Sequence, residues 1–364
     1  MSVSAVKSSQ SAQTSIRVFI LGTGAMAAQH AQAFQGMDDV ELVAGIDQNP
    51  KQLNAFCDTY KIAQRFDSVE AALAWGKFDA VSNVTPDAAH YATTLPCLAA
   101  GKHVLCEKPL ALNYAHAAEM AAAAKSAGVV NMVNLTYRKS PALQKAAEMV
   151  VAGQIGRVRH FEASYLQSWL CQPAWGDWAT EDQWLWRLSE AHGSKGVLGD
   201  IGVHILDYAT LIAGSDVASV SCRLKTFDKA PDNQIGPYRL DANDSCMMTI
   251  ELQNGATGVL HASRFATGHL NDLRLRIHGD KGALTVETTE HGASLQACLS
   301  EDLVSTQWHD ISLPTRSASV FTRFIAAIRG QGPQNPDFAR GAALQNVLDR
   351  AFDSNAAGGR FQTV

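Results

Sequence analysis

Paired cysteines are missing from this 364-residue chain: its seven thiols, at Cys57, Cys97, Cys106, Cys171, Cys222, Cys246 and Cys298, are odd in number and never stand as CxxC. Neither a disulfide framework nor a cysteine zinc site is expected, and a reducing compartment, the cytoplasm, fits best. No run of about 18 apolar residues occurs, so no membrane span is expected. Excess positive charge is absent too. A formal charge of −5 gives no basic surface for nucleic acid, and the partner should be a small molecule. No repeat of 20 to 50 residues is visible, which disfavours solenoids and propellers.

With 46% apolar and 18% charged residues, the composition is that of a globular protein, and the length implies more than one domain. Residues 1–15 lack the apolar core of a signal peptide and read as a polar, disordered tail. From Ile16, short apolar runs (IRVFIL, VELVAGI, DAVSNV, HVLCE, VVNMVN) alternate with helix-like stretches at 25–36, 50–60, 88–100 and 113–127. That alternation predicts a parallel α/β domain over 16–140. Beyond residue 156 the stretches alternate in polarity, with hairpin turns at QNGA and GDKGA. They predict an α/β domain over 141–335 built on a large, open, mainly antiparallel sheet. A helix near 338–354, within 336–364, is expected to pack back near the first domain.

The first strand runs into LGTGAMAAQH, a G-x-G-x-x-A sequence between strand and helix. Gly22 permits the tight turn, Gly24 admits a pyrophosphate, and Ala27 allows close helix packing; Thr23, Ala25 and Met26 complete the loop at the helix N-terminus. The second strand ends in Asp47, where a carboxylate accepts hydrogen bonds from ribose hydroxyls and repels a 2′-phosphate. NAD is therefore expected, with Lys51 keeping NADP open.

GKHVLCEKPLAL (101–112), with VTPDAAH (84–90), YRKSP (137–141) and KGVLGDIGVHILD (195–207), resembles the family of glucose–fructose oxidoreductase, inositol 2-dehydrogenase and the MocA-like proteins. The resemblance runs from about Ile16 to the end. It implies a Rossmann domain followed by an α/β domain whose sheet joins subunits, as a homodimer or homotetramer. It also implies NAD or NADP beneath a sugar-like or polyol substrate. By the same resemblance Lys108 reaches the substrate and tunes proton transfer, aimed by Pro109 after a bond that is frequently cis in the family. Partial desolvation beside a cationic nicotinamide is expected to lower the Lys108 pKa. Thr85, Pro86 and Glu107 are expected along the dinucleotide, with His90 open between that place and a structural histidine on a helix, and Tyr137 and Arg138 are expected near the substrate. Asp200 and His204, four apart, share one helix face, and His204 matches the general base of inositol dehydrogenase-like relatives. No further ligands at metal spacing accompany them, so no metal is expected.

One residue departs from the family pattern. Lys195 replaces the first of two glycines before Asp200, and the sequence leaves its direction open between the site and water.

Five of the seven tryptophans, Trp169, Trp175, Trp178, Trp184 and Trp186, fall between residues 167 and 187 at spacings that fit no single period. They are expected to include a wall for a pyranose, whose C–H faces stack on indole, with Trp175 and Trp178 as wall residues and Arg187 as a polar contact. The leading expectation is a dehydrogenase of a secondary hydroxyl on a sugar, glycoside, anhydrosugar or inositol. An NAD-retaining glycosidase without net redox and a catalytically silent nucleotide sensor are the alternatives.

Overall fold

The computed structural model describes residues 15–364 except 174, 301 and 316, so the expected tail lies outside the described residues apart from Ser15. Six parallel strands form the first sheet: β1 (Ile16–Leu21), β2 (Val40–Ile46), β3 (Gln64–Phe66), β4 (Ala80–Asn83), β5 (His103–Cys106) and β6 (Asn131–Val133). Their order is β3-β2-β1-β4-β5-β6, a doubly wound Rossmann sheet. Central β4 is buried along its whole length, as a strand covered on both faces must be.

The crossover helices are α1 (Ala25–Gln35), α2 (Pro50–Thr59), α3 (Val69–Trp75), α4 (His90–Ala99) and α5 (Tyr114–Ala127). The Asn49 side chain accepts from Lys51 and Gln52 N–H groups at the start of α2, Ser68 caps α3 and Asn113 caps α5. Helix α1 differs, because Gly24 occupies its cap position and offers no side chain, leaving N–H donors of the first turn free for a ligand.

After α6 (Pro141–Val151) comes β7 (Val158–Gln167), then a loop carrying the tryptophans and the one-turn α7 (Asp182–Leu185). A π-helical turn at Leu198–Gly202 leads into the buried α8 (Val203–Ala213). The second sheet follows with β8 (Val217–Lys225), the short ribbon β9 (Gln234–Ile235) and β10 (Tyr238–Arg239), β11 (Ser245–Leu252), β12 (Thr257–Ser263), β13 (Asn271–Gly279), β14 (Gly282–Thr289) and β15 (Gly292–Leu299). One-turn α9 (Asp302–Ser305), β16 (His309–Asp310), α10 (Val320–Ile328), α11 (Phe338–Ala356) and β17 (Gln362–Thr363) complete the chain.

The order β16-β15-β14-β13-β7-β12-β11-β8-β17 makes nine strands, antiparallel except where β12 meets β7. Strict alternation in β11, from buried Cys246 to exposed Met247 to buried Met248, shows one face packed and the other open. The turns fall at Gln253–Ala256 and Asp280–Lys281, with Gly255 at φ +84°.

Helix α11 lies against both sheets' layers. Gly341 sits where a Cβ would come within 2.9 Å of Leu110 and 2.8 Å of Val133, and Ser354 accepts the Cys222 N–H of β8 at 2.8 Å. Helix α10 instead buries Phe324 in the core beside β1 and α1.

Candidate active site

At the cofactor end, Gly22 has φ +89°, and a Cβ there would meet the Val84 carbonyl oxygen at 2.8 Å and the Thr85 nitrogen at 2.9 Å. Only glycine lets the first loop lie this close to the end of β4. Ala25 and Met26 are exposed at the open start of α1, whereas Thr23 is buried. Asp47 closes the far side: one carboxylate oxygen accepts from Thr23 N (2.9 Å) and Thr23 Oγ1 (2.8 Å), the other from Asn49 N (2.8 Å). A cradle that a Cβ would fill, uncapped helix donors and a carboxylate at the rim fit a dinucleotide. Thr85 and Pro86 adjoin that cradle, and Asn83 Oδ1 fixes Thr85 through its N–H (3.1 Å) and hydroxyl (2.8 Å).

Two candidate cofactor contacts point elsewhere. Glu107 turns into the core, where its carboxylate takes hydrogen bonds from His30 Nε2 (2.9 Å), Asn134 Nδ2 (2.5 Å) and the Lys108 N–H (3.1 Å). Burial opposes its charge, but these partners hold its pKa down at about 2. It supports the corner from behind. His90 is fully buried between two backbone carbonyls, those of Pro109 (2.8 Å) and Thr85 (2.9 Å).

A cavity of about 180 Å³ lies where the two halves meet, with Lys108, Asp200 and His204 together in its wall. The Lys108–Pro109 bond is cis, and Lys108 Nζ donates to Asp200 Oδ1 (2.9 Å) and to the Asp200 carbonyl (3.0 Å). Arg264, buried at the end of β12, donates to Asp200 Oδ2 at 2.8 Å, and Arg187 stands 3.6 Å from Oδ1. Three cations thus share one carboxylate. Against the cost of burial, they keep Asp200 ionised well below the usual carboxylate range.

The lowered lysine pKa expected from sequence does not hold in this geometry. Burial does disfavour the ammonium, but Asp200, Asp87 and Glu107 outweigh it and raise the Lys108 pKa. Lys108 is a fixed cation. His204 behaves oppositely: burial and the Lys108 charge push its pKa down to about 3, so its ring is neutral. Its Nδ1 is buried without a partner, and Nε2 is the ring nitrogen left to the cavity. Tyr137 stands edge-on behind that ring at 5.0 Å and accepts from Asn271 at 2.9 Å, with its hydroxyl also bonded to Tyr165.

Arg138 was expected at the substrate, and the fold uses it otherwise. Its guanidinium makes a two-pronged pair with Asp207 (2.7 and 2.6 Å), buried and shared with Arg340. A bidentate pair this well satisfied has no donors to spare on that edge. Lys195 also points away from the cavity, its ammonium 5.7 Å from the Phe352 ring centre on α11.

Among the tryptophans, Trp169, Trp175 and Trp184 line the cavity with Tyr165, Gln167, Ile201 and Arg187. Trp175 stacks on Trp184 at 6.3 Å, and Trp184 carries a buried Nε1–H with no partner. Trp178, expected in the wall, packs into the apolar cluster of Leu170, Leu185, Leu188 and Leu240 behind it. Trp186 lies under the Arg187 guanidinium at 4.7 Å. Sequence reasoning missed Arg264 and the Tyr165–Asn271 support, and within the expected tryptophan cluster it put Trp178 in the wall where the fold puts Trp169 and Trp184.

Among the described residues no cluster of ligands could hold a metal, and no helix is long and apolar enough to cross a membrane. Residues 16–135 match the oxidoreductase family with an NAD-binding Rossmann fold, and residues 143–285 match the GFO/IDH/MocA C-terminal domain. The D-glucoside 3-dehydrogenase of Escherichia coli is 30% identical over 366 residues, covering 97% of this chain and 99% of that one. The levoglucosan dehydrogenase of Pseudarthrobacter phenanthrenivorans is 31% identical over 236 residues, 61% of this chain but only 58% of the relative. An oxidoreductase domain protein from Kribbella flavida superposes with a TM-score of 0.85 at 31% identity, over 96% of this chain and 99% of that structure. With a dinucleotide cradle in one half, an open sheet in the other and Lys108 meeting Asp200 between them, the chain belongs to the Gfo/Idh/MocA family of NAD-binding oxidoreductases.

Proposed function

We propose that the chain is a dehydrogenase of a secondary hydroxyl on a sugar, glycoside, anhydrosugar or polyol. The observation that carries this reading is His204 and Lys108 together in one indole-walled cavity beside the dinucleotide cradle, where the surroundings lower the His204 pKa and raise that of Lys108. The similarity to enzymes named for D-glucosides and levoglucosan supports the substrate class.

A bound NAD would supply the hydride acceptor for the carbinol carbon. The free N–H groups of Gly24, Ala25 and Met26 would hold the pyrophosphate in a turn shaped by Gly22 and Thr23, whose own N–H groups donate to the Ile46 carbonyl and to Asp47; Asp47 would hold the adenosine ribose, and Thr85 and Pro86 would line the groove. His204 accepts the hydroxyl proton at Nε2 as the C–H bond breaks. Lys108 donates a hydrogen bond to that oxygen, and Asp200 keeps the ammonium aimed. Trp175 and Trp184 stack on the ring C–H faces, the free Trp184 Nε1–H meets a hydroxyl, and Arg187 reaches a further one.

The deciding experiment incubates the protein with excess NAD and a panel of neutral glycosides, anhydrosugars and inositols. Free NADH accumulating over many turnovers is expected. Hydrolysis without NADH release would mark a glycosidase, and inertness with tight nucleotide binding would mark a sensor. NAD should outperform NADP in kcat/KM. Asp47→Ser should erode that preference mainly through KM, because the ribose contact is present equally in ground and transition states; a wild-type preference for NADP overturns the assignment of Asp47.

Trp175→Ala should weaken sugar binding by on the order of 1–3 kcal/mol, as loss of a buried aromatic anchor does. Trp184→Phe, which keeps the stacking ring but removes the N–H, should raise the sugar KM less. Trp178→Ala should leave KM near wild type while lowering Tm. Equal KM effects at Trp175 and Trp178 would place the wall elsewhere.

The open face of the nine-stranded sheet exposes Met247 and Val259 at 50% and 45%, and a second copy of the chain is the proposed cover. Light scattering reads the resulting dimer or tetramer. A reducing cytoplasm is the proposed compartment, given an odd number of cysteines without paired spacing.

A further inference from the structure

His90 is the one histidine among the described residues whose two ring nitrogens both lie against backbone carbonyl oxygens: Nδ1 at 2.8 Å from Pro109 O, Nε2 at 2.9 Å from Thr85 O. A carbonyl oxygen only accepts hydrogen bonds. A neutral imidazole has one donor nitrogen and one acceptor, so in this seat its bare nitrogen would face an oxygen lone pair at contact distance. The ring has no exposed surface and no water could separate them. The geometry is satisfied only when both nitrogens carry protons.

The two carbonyls belong to different parts of the site. Thr85 ends the β4 segment that adjoins the Gly22 cradle, and Pro109 follows Lys108. We propose that His90 is a doubly protonated clamp at neutral pH, tying the nucleotide-side segment to the Lys108 corner and thereby positioning the Lys108 ammonium in the cavity.

The surroundings supply the compensation a buried cation needs. Asp87, one turn before His90, is the carboxylate whose charge favours the protonated ring, with burial raising its own pKa, and Cys106 ends the neighbouring β5. Burial by itself would strip the proton, while the Asp87 charge and the Pro109 carbonyl favour keeping it and raise the His90 pKa. The charges of Lys108, Arg187 and Asp200 also act on Asp87, which couples the clamp electrostatically to the site. His204, one cavity wall away, is the opposite case: partnerless at Nδ1 and neutral. The fold therefore holds one histidine as an acid form and one as a base form at the same pH.

The test is nitrogen-15 NMR of the full chain labelled at histidine, without cofactor, from pH 6 to 9. The expected result is one ring with both nitrogens at imidazolium shifts through pH 8.5, lost in His90→Gln. His30, beside Glu107, is the other buried histidine with two polar partners, and His30→Gln distinguishes its signal. A His90 ring with one protonated and one bare nitrogen at pH 7.5 overturns the proposal. Positioning has its own readout, which rests on the dehydrogenase reading. His90→Gln should lower kcat by on the order of 10-fold to 100-fold through misplacement of Lys108, with the Kd for NADH changed less than about threefold. Wild-type kcat in that variant overturns the positioning role even if the ring proves doubly protonated. Should His90→Gln fail to fold, the wild-type spectrum still decides: all 12 histidines neutral at pH 8.5 refutes the clamp.

Discussion

Replacing His204 by alanine should lower kcat for alcohol oxidation by on the order of 10² to 10⁴, with NAD binding retained, because the variant removes the proton acceptor and leaves the nucleotide cradle untouched. The folded-state pKa of about 3 sets the pH behaviour. The active, neutral imidazole is already complete well above pH 3, so wild-type kcat should be flat from about pH 6 to 8 and should not rise through the ordinary histidine range. On the alkaline side Lys108, whose pKa is raised by Asp200, keeps its proton. Lys108→Met should also lower kcat strongly. The double variant should be little worse than the poorer single one, since two groups acting on the same oxygen and proton are not additive. If His204→Ala keeps most of its activity while Lys108→Met abolishes it and the profile titrates with the lysine, the two roles are exchanged.

A second large effect is expected at Asp200. Asp200→Ala leaves Lys108, Arg187 and Arg264 facing one another, and Arg264 is wholly buried with Asp200 as its carboxylate partner. Removing one partner of a buried charge network typically costs about 3–5 kcal/mol, most of it from the uncompensated charge left behind. Denaturant titration should register a loss of that order, and Asp200→Asn a smaller one because the amide oxygen still accepts. Both variants should lose kcat, since the Lys108 ammonium is no longer aimed. A double substitution, Asp200→Ala with Arg264→Met, should recover stability without recovering turnover. Recovery of both together would show that Asp200 serves only the fold.

The parts of this site that sequence made legible are those written in local order. The Gly22–Gly24 loop lies between a strand and a helix, Asp47 ends the next strand, and alternation in β11 and β12 marks a half-open sheet. Lys108, Asp200 and His204 were found through motif resemblance, and the fold does bring them into one cavity. The sign of the Lys108 shift was not legible, because it depends on a carboxylate 92 residues away at 2.9 Å outweighing burial. Arg264 carried no signal at all, being a single arginine at a strand end whose meaning is its contact with Asp200. Arg138 misled for the same reason: it neighbours the substrate side in sequence, but its partner Asp207 lies one turn beyond His204 on the buried helix. Among the indoles, spacing predicted a loop and could not say which rings face inward.

The placement of α11 bears on how the molecule comes apart. Its N-terminal end interlocks with β6, through the Phe338 N–H on Asn131 and the glycine seat at Gly341, while its C-terminal end holds β8 through Ser354 and Asn355. One apolar cluster runs without a break from Phe19 and Val81 of the first sheet to Leu275 and Val286 of the second. One face of the first sheet keeps its own cluster around Val18, Ile20, Phe34 and Phe324, but the other face shares its core with the second sheet, and heat should melt both in a single cooperative transition, in contrast to the stepwise denaturation of domains joined only by a linker. The same stitching makes either half a poor candidate for excision: a nucleotide-binding fragment cut out before α11 would expose Leu110 and Val133, and would be prone to precipitate before it could be assayed.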